Sequence, residues 1–157
     1  MGRITEITKK QAISRSTQRK TQALPQTGST ALFTVTGNVI IDQIVGEVTT
    51  VIETQANNTK LVANPTVGAD VDLCAVLDIS ADAVGSTYGI TGTLANALVN
   101  VPGGAGVAQA GKVLVHEGTI DLDCAASNTG SIKWTIHWTP VDKTSNLVVA
   151  GGDALVV

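Results

Sequence analysis

Ser131-Ile132-Lys133-Trp134-Thr135-Ile136-His137-Trp138-Thr139 is the stretch that decides the fold. Ile132, Trp134, Ile136 and Trp138 occupy alternate positions, and Lys133, Thr135, His137 and Thr139 fill the gaps. A period of two is the signature of a strand with one buried face. Both tryptophans of the chain fall on that face, so the reading predicts that the core lies on the Trp side and that His137 points outward. Pro140 follows and ends the strand.

The same grammar extends in both directions. Val71 to Ile79 alternates, with Val71, Leu73, Ala75, Leu77 and Ile79 on one face and Asp72, Cys74, Val76 and Asp78 on the other. Strands are predicted at 32–36, 39–53, 60–63, 112–115, 120–124, 147–150 and 154–157. Gly46 interrupts the long 39–53 run and reads as a bulge or bend. Gly118 reads as a turn or bulge, and Ser127-Asn128-Thr129-Gly130 as a hairpin-type turn. Residues 81–100 carry Gly85, Gly89 and Gly92, which break any helix, so short strands and loops are expected there. Pro102 to Gly106 reads as a flexible loop.

Composition agrees. Val, Ile, Leu and Ala supply nearly all the apolar residues, beside one Phe, one Tyr, two Trp and one Met, and there are sixteen glycines. β-branched richness with many turn residues points to an all-β domain, a β-sandwich or jelly-roll-like module. At 157 residues one domain is expected.

Charge divides the chain. Residues 1–22 hold six bases, Arg3, Lys9, Lys10, Arg15, Arg19 and Lys20, against one acid, a net of +5; the rest holds four bases against twelve acids, a net of −8. Residues 1–28 therefore read as a basic extended arm and hinge, and residues 29–157 as the sandwich body. The arm has some of the composition of an organelle transit peptide. It has no aromatic residue for base stacking, and the acidic body would repel a polyanion. An acidic protein surface is thus the expected partner of the six basic side chains, rather than nucleic acid or membrane. The apolar run Ala154-Leu155-Val156-Val157 is expected to be covered, by its own sheet or by a neighbouring subunit.

No catalytic constellation emerges, and neither a cofactor nor an enzyme activity is expected. The glycine-rich run at 103–106 lacks the Lys-Ser/Thr of a phosphate loop. His116 beside Glu117, with Asp121 and Asp123 further on, would meet a metal only if bends brought them together; Asp70, Asp72 and Asp78 lack a calcium-loop pattern. Asn57-Asn58-Thr59 matches a glycosylation sequon. Cys74 and Cys124 leave two readings open, a disulfide between neighbouring strands or two buried thiols, the simpler because free cysteine is among the most buried residue types.

Three segments carry a family resemblance: Thr36-Gly37-Asn38-Val39 through Val48-Thr49-Thr50, Ala69-Asp70-Val71-Asp72-Leu73-Cys74, and Gly118-Thr119-Ile120-Asp121-Leu122 leading to Gly130-Ser131-Ile132-Lys133-Trp134. In style and segment order they resemble the small capsid decoration, or cement, proteins of tailed bacteriophages. The resemblance implies a structural virion protein assembled in the host cytoplasm and carried on the capsid exterior. It implies a homotrimer whose arms clamp neighbouring major capsid protein subunits. Another virion module, such as a tail, head-fibre or glycan-binding receptor protein, is the alternative.

Overall fold

The computed structural model describes residues 13–21, 23–106 and 108–151. Among these residues twelve strands form two sheets: β1 (Arg15–Lys20), β2 (Gln26–Thr36), β3 (Val39–Thr50), β4 (Asn58–Pro65), β5 (Val71–Asp72), β6 (Leu77–Asp78), β7 (Thr87–Gly89), β8 (Val99–Val101), β9 (Val113–Val115), β10 (Gly118–Ser127), β11 (Ser131–Pro140) and β12 (Asn146–Val149). One sheet runs β1-β11-β3-β7-β8, with β9 also on β3; the other runs β12-β2-β10-β4-β5, with β6 also on β4. All ladders between named strands are antiparallel. The protein is an all-β, two-sheet sandwich, as the sequence predicted.

β11 carries the centre of the core. Ile132, Trp134 and Ile136 are fully buried, Trp138 nearly so, and His137 is exposed. Trp134 stacks against Tyr88 with centroids 6.3 Å apart. Across the sandwich lie Phe33, Leu61, Ile120 and Leu122, all at 0 % exposure.

Two bulges explain why β3 does not alternate cleanly. Its partner register jumps between His137 and Trp138, leaving Asp42 unmatched, and between Ser131 and Ile132, leaving Thr49 unmatched. The buried positions accordingly switch from Val39 and Ile41 to Ile44, Gly46 and Val48. Gly46, expected to mark a bulge or bend, lies in regular ladder opposite Trp134. A third register jump, in β2, leaves Leu32 unmatched between Ala31 and Phe33. Leu32 and Phe33, adjacent in sequence, are thereby both fully buried.

Three further expectations change. Ser127–Gly130 does not make a hairpin, because β10 and β11 belong to different sheets. The segment instead crosses the sandwich edge, held by buried Asn128, which donates to the backbone oxygens of Glu53 and Gln55. Residues 71–79 are not one strand. β5 and β6 pair with β4 at separate places, and the chain between them turns both Leu73 and Cys74 into the core. Gly118 is the first residue of β10 with φ +151°, and a Cβ there would lie 2.2 Å from the Asn64 carbonyl oxygen. It sits between Val35 and Pro65 in the two flanking strands. The strand expected at 154–157 lies outside the described residues.

Candidate functional site

The segment read as an arm begins its pairing inside the body. β1 matches β11 residue for residue, from Arg15 opposite Trp138 to Lys20 opposite Lys133. Residues directly opposite in an antiparallel ladder point to the same side of the sheet. Arg15, Thr17 and Arg19 therefore share the inner face with Trp138, Ile136 and Trp134, whereas Ser16, Gln18 and Lys20 face outward.

Each inner side chain has a definite setting. The Arg15 guanidinium lies over the Trp138 ring, 5.4 Å from its centroid, within cation–π range. Trp138 Nε1 donates to Thr17 Oγ1 at 3.1 Å. Arg19 is 7 % exposed. Thr21, also buried, receives the Ile132 amide on its hydroxyl oxygen at 2.8 Å. Leu24 is 2 % exposed, so the predicted hinge is packed into the body. β1 closes one side of the sandwich, where Thr17 Oγ1 also reaches the Leu147 carbonyl of β12 at 3.4 Å. Arg3, Lys9 and Lys10 lie outside the described residues.

The bulge residue Asp42 fixes the start of this strand. Its carboxylate accepts from Ser14 at 3.0 Å and Thr139 at 2.7 Å, and pairs with Lys112 Nζ at 3.0 Å. Burial pushes its pKa up, but the hydrogen bonds from Thr139, Lys112 and Ser14 outweigh this and hold it below the ordinary carboxylate value. Nothing in the bare sequence distinguishes Asp42 from other surface acids; only the bulge selects it.

The same end of the sandwich holds His116 and Glu117. His116 Nδ1 is 2.9 Å from Asn38 Oδ1, and Glu117 Oε2 accepts the Gly37 amide at 3.0 Å. Asp121 takes its contacts elsewhere, from Ser29 and Asn64 on the other sheet. Asp72 pairs with Lys60 at 2.8 Å, and Asp78 accepts the amides of Asn57 and Ser80. Among the described residues, no group of three or more His, Cys, Asp or Glu is placed to hold a metal ion. Asn57 of the sequon is 0 % exposed, so the folded chain does not present it for glycosylation. No helix among the described residues is long and apolar enough to cross a membrane.

Two clefts open at this end. One, of about 320 Å³, is lined by Asn38, Thr66, Val67, His116 and Glu117. The other, of about 210 Å³, lies between β4–β5 and β9 and is almost wholly aliphatic, with His116 at its border. Around them stand exposed aliphatic side chains: Val67 at 89 %, Leu114 at 53 % and Val141 at 48 %. The Val141 amide donates to Asn38 O, which joins that residue to the first cleft.

Cys74 and Cys124 are separate, buried free thiols. Burial pushes both thiols above their ordinary pKa, which keeps them protonated and unreactive. No protein-family model, curated protein or solved structure matches this chain.

Proposed function

We propose that the chain is a structural virion protein, a capsid decoration protein that docks on neighbouring major capsid protein subunits through the segment preceding β1. The observation that carries this reading is the anchorage of β1. Six ladder positions, the Arg15–Trp138 contact and the Ser14–Asp42 hydrogen bond hold the strand to the sandwich. Whatever residues 1–12 grip is therefore coupled mechanically to the body. Those residues carry Arg3, Lys9 and Lys10 against Glu6, a charge suited to an acidic protein surface. β1 begins at the end of the body where Val67, Leu114 and Val141 are exposed, apolar area that would add to a docking surface there. Several copies on one oligomer would add avidity without new contacts.

Co-sedimentation with virus heads that lack this chain tests the reading. The full chain is expected to pellet with heads, and a form lacking residues 1–12 to lose most of that binding while keeping its melting temperature. Equal binding by both forms, or no binding by either, sinks the proposal. Binding to a glycan array instead of heads would favour the receptor-module alternative.

A further inference from the structure

We infer that the aliphatic cleft between β5 and β9 receives the Ala154–Val157 segment of a second copy of this chain, making a head-to-tail contact between subunits. The cleft is built from Ala63, Pro65, Val71, Leu73, Leu94 and Val113 to Val115, with His116 as its one polar neighbour. Val71, Leu94 and Leu114 are 45 %, 40 % and 53 % exposed at its rim. A cavity of about 150 Å³ lined by aliphatic and aromatic side chains accepts benzene, so about 210 Å³ accommodates aliphatic side chains of this size.

The occupant follows from periodicity and reach. In an extended segment alternate residues share a face. Leu155 and Val157 would then both enter the cleft, and Ala154 and Val156 would lie against its rim. In residues 1–12 the same geometry puts Ile4 and Ile7 on opposite faces, with Glu6 beside Ile4 on one of them. The arm therefore offers the cleft a single isoleucine at a time.

The chain's own tail would have to start from the wrong edge. It continues from Gly151 just beyond β12, after the Ala150 amide bonds Leu32 O, and β12 and β5 are opposite edges of one sheet. Four strand spacings separate them, about 19 Å. The near wall of the cleft, Ala63 and Pro65 on β4, is three spacings away, but β12 runs away from it: Leu147 is level with Pro65 and Val149 with Ala63 across β2 and β10, so the chain's own tail would have to reverse before crossing the sheet. A neighbouring copy has no such limit. The contact joins two different surfaces, so it is heterologous and closes into a ring when the rotation permits. It concerns this chain alone and stands or falls without capsid binding.

Light scattering on two variants and their mixture tests it. Removing residues 154–157 deletes the donor and leaves the described core untouched; Leu114→Asp places a charge at the acceptor. The full chain is expected to be oligomeric, each variant monomeric at 16.0 kDa or slightly below, and an equimolar mixture to form pairs, because one variant keeps the tail and the other keeps the cleft. Deletion of residues 1–12 is expected to leave the oligomer intact. A monomeric full chain, an unchanged mass without residues 154–157, a mixture that stays monomeric, or dissociation on removing residues 1–12 would each overturn the inference. If Leu114→Asp fails to fold, Leu94→Asp takes its place in the mixture.

Discussion

Gly46 stands directly opposite Trp134 in the β3–β11 ladder, and the indole occupies the space that a side chain at position 46 would need. A Cβ there would lie 2.7 Å from Trp134 Cζ3 and 2.9 Å from two further ring carbons. The ring is fully buried and stacked on Tyr88, so it has nowhere to retreat. Gly46→Ala is expected to destabilise by about 1–3 kcal/mol through overpacking. Trp134→Ala should cost about 3–5 kcal/mol. Denaturant melts check both, with Gly106→Ala, which meets nothing within 4 Å, as the near-neutral control. In a Trp134→Ala background the Gly46→Ala penalty should shrink, because the clash has gone. An unchanged penalty would show that the glycine serves backbone freedom instead.

Truncation should separate the arm from the strand. A form starting at Ile13 is expected to melt like the full chain, since β1 and its contacts survive. A form starting at Ala23 loses β1, leaves Trp138 Nε1 without Thr17 and opens the Trp face to water. A loss of more than about 2 kcal/mol is expected from the exposed apolar area and the orphaned donor. Equal melting of the two forms would mean that β1 adds nothing to the fold.

Acid should loosen the attachment of β1. The folded pKa of Asp42 lies below its ordinary 3.8, so its contribution is complete above that value and is lost as pH falls through the lower folded value. Asp78 behaves alike, held down chiefly by the amides of Asn57 and Ser80. Asp42→Asn is expected to cost about 1.5–3 kcal/mol at pH 7, the range for hydrogen bonds to a charged group. It should also flatten the fall in stability below pH 3.8. A variant whose acid limb matches the parent's would exclude Asp42 as the sensor.

Thiol chemistry should follow burial. Cys74 Sγ accepts the Leu61 amide at 3.4 Å, and Thr59 Oγ1 lies 3.6 Å from Cys124 Sγ. A thiol-reactive chromophore is expected to label neither cysteine quickly in the native protein and both in denaturant. Reductant should leave the melting temperature unchanged. An oxidised sample with no reactive thiol in denaturant would demonstrate a disulfide.

Alternation was a sufficient guide wherever the ladder is regular. β11 could be read side chain by side chain, because strand geometry fixes which residues share a face. The all-β class followed from β-branched content and turn residues for the same local reason. Alternation misled wherever a bulge or an arch intervened. Leu32 beside Phe33, Leu73 beside Cys74, and the phase change at Asp42 all break the period, and a bulge is a relation between two strands that one strand's sequence does not carry. Gly46 showed the converse: the sequence marked the position, but the reason lay in a ring 88 residues away in the chain.

The sequence by itself determined the all-β class, the strand at β11 with its buried tryptophan face and the basic character of the N-terminal segment, because period and charge are local properties. Tertiary structure alone decided which sheet each strand joined, and so turned the predicted Ser127–Gly130 hairpin into a crossing between sheets. It also built Arg15–Lys20 of the predicted arm into the body as β1. Arg15 and Arg19 read as basic side chains for an acidic protein surface until β11 presents its Trp face beside them; the pairing then makes them, with Thr17, the inner face of an edge strand. Such pairing depends on segments more than a hundred residues apart, and no local preference encodes it.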